Sequence, residues 1–418
     1  KINFKYTKYT NDYSSPAVLT QAQLDKDRDG ASTSETDYQA DKDSYSLVYD
    51  YNMKDNLKFN LLSSYYNSVS ESSTSTSITN FDESKIAFKP KLNYEYSKGT
   101  LTAGYDYTFN NIVRDTKLGN GAFYDISKMT NSVFLNNRYD MNKLELITGY
   151  RYEKSDYEMK DQKYGTKTPS DMDKTSSNSA YSMGLNYLYS DSGKLYGKFE
   201  SGYTFPDPRQ YINLTNGEGE LNNLQDEEFM TYEIGFQDYI INSLVKGAVY
   251  YTEKENEIRK EGSSLNAKFY NIDASKRIGG ELSISQNIKK LELSESIAYV
   301  DAKVTEGTYE GKRIPYVSKI TSSINATYTF NEKVDLSGNI TYRDKYYVDA
   351  SNLSGLVNDK FVTDIKVNYS IDSNWKTYAG INNLFNADYY NTINYSSGAY
   401  TYDPASERNY FIGFNYSF

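Results

Sequence analysis

The sequence predicts an all-β fold, a large antiparallel transmembrane β-barrel, and three observations lead to this prediction. Apolar and polar side chains alternate with period two in many segments, as they do when one face of a strand meets lipid and the other meets water. Tyrosine and phenylalanine are abundant, with 46 and 18 copies among 418 residues. Short polar turns and long polar loops also alternate along the chain.

Period-two alternation is clear in residues 361–371, where Phe361 and Ile365 share one face and Asp364 and Lys366 share the other. A helix would scatter these side chains around its circumference. The same alternation occurs in residues 86–96, 101–109 and 410–418. We count about 18 such segments by this test.

Residues 86–96 place Phe88 and Pro90 on the apolar face, and Lys89 and Lys91 on the polar face. Proline has no N–H to donate to a neighbouring strand, whereas a closed barrel pairs its strands on both sides. We therefore expect Pro90 at a bulge or near a rim of the barrel.

The connections between segments give the orientation. Working back from the C-terminus, short turns lie near residues 371–375, 331–335, 287–290, 240–243, 190–194, 141–143, 97–100 and 53–56, and long loops lie near 386–409, 344–360, 305–317, 254–276, 206–227, 155–177, 111–129, 69–84 and 13–43. Tight periplasmic turns and long extracellular loops are typical of barrels in the bacterial outer membrane. A soluble sandwich or propeller would explain the side-chain alternation but not the alternation in connection length.

Composition excludes several classes of function. The mean hydropathy is −0.75, and no stretch approaches the roughly 20 apolar residues of a membrane helix, as is usual for a barrel. The chain has no cysteine and no histidine, so thiolate chemistry and the commonest metal ligand and general base are absent. The net charge of −10 argues against a nucleic-acid partner. We see no catalytic constellation and do not expect an enzyme.

Several local patterns in the second half of the chain resemble a known family. They are Gly202-Tyr203-Thr204-Phe205-Pro206-Asp207-Pro208, Asn222-Asn223-Leu224-Gln225-Asp226-Glu227 followed by Tyr232-Glu233-Ile234-Gly235, Tyr270-Asn271-Ile272-Asp273 before Gly279-Gly280-Glu281-Leu282, Gly380-Ile381-Asn382-Asn383-Leu384-Phe385-Asn386, and Glu407-Arg408-Asn409-Tyr410 leading to Gly413 and Phe418. Each pattern alone is degenerate, but their order and spacing over residues 202–418 resemble TonB-dependent outer-membrane receptors. Residues 1–201 match only in pattern.

The resemblance implies that residues 1–418 are a partial receptor barrel. Such receptors have 22 strands and a plugged lumen. Aligned from the C-terminus, this chain would begin at the fifth strand, with the plug, the TonB-contacting segment and the first strands upstream of Lys1. The chain starts without a signal peptide, so we expect a mature or excised piece. Its first and last strands should then carry unpaired edges.

The implied function is TonB-dependent uptake of a scarce nutrient across the bacterial outer membrane, most often a ferric siderophore. The expected partners are outer-membrane lipid, the TonB energising complex acting through the plug, and a metal-chelate substrate, and we expect a monomer. Haem or a cobalamin-type cofactor could be taken up by the same machinery. An 18-strand passive porin or a surface adhesion barrel is the alternative of a different class.

Arginine and tyrosine residues in the long loops are the candidate substrate ligands. Arginine makes bidentate bonds to carboxylate or catecholate oxygens, and tyrosine offers a flat ring with a polar tip. The candidates are Arg209, Tyr211, Arg259, Arg313, Tyr346 and Tyr395. Because they follow the long-loop ends of successive strands, we expect the arginines and Tyr211 to converge above the lumen. The alternative is that these tyrosines are structural, since tyrosine occurs throughout the chain.

Residues 25–30 resemble the start of a calcium-binding loop. Asp25, Asp27 and Asp29 stand at positions 1, 3 and 5, and Gly30 stands at position 6. Position 12 is Thr36 in place of the usual glutamate. Calcium is therefore the one possible cofactor, and a solvated acidic loop tip is the alternative.

Overall fold

The computed structural model describes residues 1–15, 18–28, 30, 35–117, 121–168, 171–261, 266–353, 355–396 and 399–417. These residues form one curved antiparallel sheet of 18 strands. The strands are β1 (Ile2–Ser15), β2 (Thr36–Lys54), β3 (Leu57–Thr74), β4 (Ser77–Tyr96), β5 (Gly99–Thr116), β6 (Ala122–Met141), β7 (Leu144–Tyr164), β8 (Met172–Leu188), β9 (Lys194–Thr204), β10 (Glu227–Ile240), β11 (Ser243–Glu261), β12 (Lys268–Ile288), β13 (Leu291–Glu306), β14 (Ile320–Asn331), β15 (Val334–Arg343), β16 (Lys360–Ser370), β17 (Trp375–Asn382) and β18 (Asn409–Tyr416). The predicted all-β barrel fold and strand number are confirmed.

The strands form a meander in which each pairs with its neighbours in sequence. Among the residues described, β1 pairs only with β2, and β18 pairs only with β17. The first and last strands therefore have unpaired edges, as expected.

The extracellular connections contain short elements of their own. They are helix α1 (Gln21–Lys26), a 3-10 helix (Pro208–Tyr211), and the short strands Leu19–Thr20, Ile212–Thr215, Glu218–Leu221, Tyr346–Tyr347, Leu356–Val357, Tyr390–Ser396 and Ala399–Pro404. No helix in the described part of the chain is long and apolar enough to cross a membrane.

Many strands are much longer than the roughly 10 residues that cross a membrane. β7 and β12 each contain 21 residues. Several predicted loops are therefore wrong: residues 69–84 are strand apart from a tight turn at 75–76, and most of 111–129, 155–177 and 254–276 is strand as well. The reason is that both faces of a strand meet water outside the membrane, so backbone pairing continues after the apolar–polar alternation has ended.

The two faces of the sheet differ as the alternation predicts. On the outer face, Phe88 and Leu92 are 43% and 41% exposed, in positions that would contact lipid. On the other face, the Asn60 amide donates to Asp50 at 2.6 Å and accepts from Asn93 at 2.5 Å. A row of mutually bonded polar side chains is typical of a barrel interior.

Pro90 lies inside β4, and the expected bulge or rim position is wrong. Pairing between β4 and β5 stops after Phe88–Tyr107 and resumes at Lys91–Gly104 without a change of register. The missing proline N–H is therefore accommodated by a local gap in one ladder, while the strand itself continues.

Glycines on several strands lie directly opposite an aromatic residue of the neighbouring strand. The pairs are Gly104 with Phe134, Gly202 with Phe229, Gly235 with Tyr196, Gly247 with Phe236, Gly279 with Tyr250, Gly380 with Phe411 and Gly413 with Tyr378. A Cβ on any of these glycines would lie within 2.6 Å of a ring atom. The ring covers the bare glycine backbone, an arrangement that stabilises sheets.

Candidate functional site

The inner face of the barrel is identified by side chains that reach across a strand. The Arg151 guanidinium on β7 binds Asp106 of β5 at 2.9 Å, although β6 lies between them. It also binds Glu153 at 2.9 Å and the Ser132 hydroxyl of β6. Side chains meet in this way on the concave face, so these residues line the lumen.

The connection between β9 and β10 folds into the mouth of the barrel. It begins with Phe205 and Pro206, both buried, and enters the 3-10 helix Pro208–Tyr211. The Asp207 carboxylate accepts a hydrogen bond from the backbone N–H of Arg209 at 3.0 Å, which caps the helix. The aromatic–proline pattern found in the sequence therefore turns the chain inward.

Side chains of this connection pack against the outer ends of β6, β7 and β8 on the inner face. Tyr211 and Tyr157 meet edge-on, with ring centroids 5.8 Å apart, and both side chains are fully buried. We call this group the mouth cluster; its buried members are Tyr124, Ile126, Tyr157, Met159, Tyr164, Phe205, Tyr211, Ile212 and Leu224. The connection is thus a packed part of the barrel wall.

Two lysines on the outward extensions of the strands place their amines against the mouth cluster. Lys128 Nζ lies 5.0 Å from the centroid of the Tyr157 ring. Lys174 Nζ lies 4.4 Å from that of Tyr211 and donates to the Leu224 carbonyl oxygen at 2.6 Å. Burial lowers the pKa of both amines. Cation–π contact and the carbonyl bond favour the charged form and oppose part of this effect.

Asp226 is the acidic neighbour of these amines. Burial raises the pKa of its carboxyl, while a hydrogen bond from Ser176 and attraction by Lys174 lower it. A carboxyl and two amines thus share one partly dehydrated region at the mouth, where each interaction is stronger than in water.

A cavity of about 990 Å³ lies on the inner face below the mouth cluster. Its lining includes Lys89, Lys91, Phe134, Tyr203 and Phe229. The Tyr203 ring also packs against Phe205 of the mouth cluster, with centroids 4.8 Å apart and the rings tilted by 35°. The end of β9, which leads into the aromatic–proline turn, therefore forms part of the cavity wall.

The cations of the cavity differ in how they are held. Arg151 is neutralised by Asp106 and Glu153. Lys89 and Lys91 make no ion pair with any residue that the structure describes. The lining also contains the carboxylates of Asp50 and Glu200, the latter paired with Lys198. Lys89 and Lys91 are thus the cations of the cavity that can bind an anion without breaking an existing salt bridge.

The structure places the first two predicted ligands side by side but in different environments. The Arg209 side chain is 54% exposed and bound to Asp207 at 3.0 Å. Tyr211 is fully buried in the mouth cluster and offers no surface to a ligand in this conformation. Of the two, Arg209 is the one that a substrate can reach directly.

The other predicted arginines are bound within the rim. The Arg259 and Arg277 guanidiniums both bind the Glu257 carboxylate, which is 4% exposed. Burial would raise the pKa of Glu257, but the two arginines outweigh it and hold that pKa below its usual range. Arg313 lies in another loop, where it donates to the Val317 carbonyl oxygen at 3.2 Å.

Tyr346 and Tyr395 belong to a third group, which we call the hairpin cluster. Its buried members are Tyr346, Val348, Val357 and Ile393, with Tyr390, Tyr395, Tyr400 and Tyr402 packed around them. Tyr346 is 5% exposed, with the Arg343 guanidinium 4.6 Å from its ring centroid. The predicted ligands therefore lie in separate packed groups, and the described residues do not form the single convergent site that we expected.

The predicted calcium loop begins inside helix α1. The Asp25 carboxylate accepts a hydrogen bond from the Gln21 amide at 2.7 Å, and the Asp27 carbonyl oxygen accepts from Gly30 N–H at 3.3 Å. Asp29 lies outside the described residues. No group of three metal-binding His, Cys, Asp or Glu side chains occurs among the residues that are described. Calcium binding here stays a prediction.

Sequence reasoning missed Lys89, Lys91, Lys128 and Lys174 as site residues. A signal was present for the first two, because the alternation in 86–96 assigned them to the water face. No comparable signal marks Lys128 and Lys174, since their surroundings depend on how a distant loop folds onto β6 and β8.

The family-like patterns meet one another at the rim. The Asn222 amide donates to the Gln210 carbonyl oxygen at 2.7 Å, which ties the end of the inward loop to its 3-10 helix. The Asn271 side chain accepts from Gln225 N–H at 2.9 Å and donates to the Asn256 carbonyl oxygen at 2.6 Å. These residues therefore shape the loops at the rim.

Comparison with known proteins gives a family match. A family model described as "TonB dependent receptor-like, beta-barrel" matches residues 1–384. The catecholate siderophore receptor Fiu of Escherichia coli is 21% identical over 249 residues, which is 56% of this chain and 32% of that receptor. The match thus spans about a third of the relative's length.

Two solved structures show the same fold. The closed form of the ferric-catecholate import receptor Fiu from E. coli K12 superposes with a TM-score of 0.77 at 15% identity, covering 100% of this chain and 72% of that chain. The ferric yersiniabactin uptake receptor FyuA from Yersinia pestis has a TM-score of 0.83 at 13% identity, covering 100% of this chain and 68% of that chain.

Proposed function

Since the chain belongs to the TonB-dependent receptor β-barrel family, we propose that it forms the barrel wall of a receptor that imports an anionic iron chelate. The family consists of outer-membrane transport receptors, not enzymes. Similar proteins are named as receptors for ferric catecholate and ferric yersiniabactin, which supports a siderophore as substrate. Transport is energised by the TonB complex, and the receptor acts as a monomer.

The observation that carries the proposal is the cavity beneath the inward-folded loop. Lys89 and Lys91 supply positive charge there, and Phe134, Tyr203 and Phe229 supply ring faces. An aromatic, anionic chelate would gain charge-assisted hydrogen bonds from the amines and stacking from the rings. Arg209, which is exposed on the inward loop, is the first contact for a chelate arriving from outside.

The inward loop also favours a receptor over a passive porin. Tyr211 and Leu224 fix it by packing on strands at the mouth. A general diffusion channel needs an open aqueous lumen, whereas a loop fixed across the entrance makes contact with each molecule that enters. Single-channel conductance of the full-length protein, including the plug that the family resemblance implies, tests this: a large, permanently open pore would favour the porin.

Removal of the two unpaired amines tests the substrate class. We expect Lys89→Ala with Lys91→Ala to weaken uptake and binding of ferric siderophores about tenfold or more, because each charge-assisted bond contributes about 1.5–3 kcal/mol before desolvation. Lys333→Ala, on a periplasmic turn, removes one positive charge away from the cavity and is the matched control. Heat-modifiable gel migration reports folding. Unchanged affinity in a folded double variant would exclude this cavity as the binding site.

A further inference from the structure

We propose that Arg28 clasps segment 18–28, which follows β1, to the connection between β17 and β18, and that these two segments and the neighbouring loop 344–360 form one cooperatively ordered unit. The strands that carry these loops at the two ends of the sheet, β1 and β18, are not paired with each other within the described residues. Contact between the two ends is therefore made above the membrane, through the loops.

The first part of the clasp is a short β-pairing. Leu19 and Thr20 pair antiparallel with Tyr402 and Thr401. This adds a third strand to the hairpin Tyr390–Ser396/Ala399–Pro404, which precedes β18. Leu19 is 2% exposed, so the pairing also buries an apolar side chain.

The second part is the Arg28 side chain, which is 16% exposed. Its guanidinium forms an ion pair with Asp388 and donates to the carbonyl oxygens of Tyr389, at 2.5 Å, and Ala405, at 3.4 Å. The same group lies 5.2 Å from the Tyr390 ring centroid. One planar cation thus binds both ends of the hairpin, a geometry that suits arginine better than lysine.

The hairpin also packs against loop 344–360. Ile393, whose neighbour on the adjacent strand is Tyr402, packs with Tyr346 and Val357 in the hairpin cluster. Tyr347 in turn accepts a backbone hydrogen bond from the N–H of Tyr316 at 2.7 Å. Among the contacts of the described residues, segment 18–28 is therefore connected to loop 344–360 through the hairpin, while Arg343 and Lys360 at the ends of two barrel strands contact the Tyr346 and Tyr389 rings.

Elements that share buried contacts in this way lose order together. If Arg28 holds the unit, its removal must loosen all three loops and not only its own. The strands below, which have long ladders, should keep their order.

Hydrogen exchange in the full chain tests the coupling. We expect Arg28→Ala to accelerate amide exchange about tenfold or more in residues 18–28, 390–404 and 346–357, with β3 unchanged. Arg28→Lys should produce an intermediate effect, because it keeps the charge but not the planar donor set. Arg138→Ala, which removes surface ion pairs near a periplasmic turn, is the control. Acceleration confined to residues 18–28, or no acceleration, would overturn the proposal.

Disulfide trapping gives an independent measurement, because the chain contains no cysteine of its own. Leu19→Cys with Tyr402→Cys joins directly opposed positions and should crosslink on oxidation. Leu19→Cys with Ile393→Cys joins positions separated by one strand and should not. In an Arg28→Ala background, the first crosslink should restore slow exchange in residues 346–357. Equal crosslinking of both pairs, or a crosslink without restoration, would contradict the clasp.

Discussion

The Tyr378 ring lies over Gly413 on the neighbouring strand, so close that a Cβ on this glycine would fall 2.4 Å from Tyr378 Cζ. The same two strands carry the reciprocal pair, with the Phe411 ring over Gly380. Each of the two strands, β17 and β18, thus places an aromatic ring over a glycine of the other strand. Gly380 and Gly413 are the glycines of the two C-terminal family-like patterns, which therefore have a packing explanation.

We expect Gly413→Ala to destabilise the barrel by about 1–3 kcal/mol, the usual cost of inserting a methyl group into filled space. The three heavy atoms nearest to the added methyl all belong to the Tyr378 side chain. Adding Tyr378→Ala should therefore recover part of the loss. Gly338→Ala is the control, because its Cβ would meet only the Asp364 carbonyl oxygen at 3.8 Å. Heat-modifiable migration over a temperature series gives the midpoints, and equal midpoints for the two glycine variants would contradict the packing explanation.

Asn383 is expected to be the most sensitive asparagine of the last loop. It is 2% exposed, has φ 53°, and its side chain both donates to the Ala387 carbonyl oxygen at 2.9 Å and accepts from its N–H at 2.7 Å. Asn383→Ala removes these bonds and places alanine in the left-handed region, at a cost of about 2–4 kcal/mol. Asn394→Ala, at an exposed position, should change stability by less than about 0.5 kcal/mol. Denaturant titration measures the free energy of unfolding of both variants. If Asn383→Ala leaves that free energy nearly unchanged, the turn does not depend on the two side-chain hydrogen bonds of Asn383.

The inward loop should become more stable as pH rises through the window below the ordinary lysine pKa of 10.5. Above about pH 10 the buried Tyr157 and Tyr211 hydroxyls of the same cluster oppose this gain, because burial raises their pKa values. The folded state lowers the pKa of the Lys128 and Lys174 amines from 10.5, so between the lowered and the ordinary value the unfolded loop binds more protons. Stability then increases with pH through that window. Asp226 has the opposite effect at acid pH. Burial raises the pKa of its carboxyl, so its contribution to the stability of the folded loop falls as pH rises and the carboxyl ionises.

Limited proteolysis of residues 205–224 measures this dependence across the same pH window. An unstructured peptide of the same sequence, digested at each pH, corrects for the pH dependence of the protease itself. Lys128→Met removes one titrating amine and should reduce the slope. A slope that is unchanged in this variant would exclude Lys128 as a source of the pH dependence.

Arg209→Ala and Arg313→Ala should each weaken siderophore binding, and their effects should add within about 0.5 kcal/mol, because the two residues share no partner. Arg209 binds Asp207, and Arg313 donates to Val317. Direct binding of candidate ferric siderophores to the two single variants and the double variant measures the coupling. A folded double variant with unchanged affinity would remove both residues from the site, and a loss clearly smaller than the sum would show that one ligand engages both of them.

The wall of the barrel was predictable because each strand within the membrane repeats one physical constraint. Lipid on one side and water on the other place Phe361 and Asp364 on opposite faces, and the pattern gives strand number and order. That constraint ends at the membrane surface. Residues 69–84 are polar on both faces, so the sequence could not distinguish a paired extension from a loop.

The site was less predictable because residue type does not reveal burial. Tyr211 and Arg209 are two positions apart, and both suit an anionic chelate chemically. Only the fold shows that Tyr211 packs against Tyr157 while Arg209 faces solvent. The contact is between segments far apart in sequence, so no local pattern encodes it.

The outward extension of β7 and β12 has a consequence for the kinetics of capture. Strands of 21 residues carry the wall well past the lipid and enclose a vestibule above the membrane. A molecule that dissociates from the inner wall collides with the surrounding wall repeatedly before it escapes. Its effective concentration near the lumen therefore stays high, and rebinding competes with loss to the medium. Under the proposed function, even a site of modest affinity would then retain a scarce solute long enough for import.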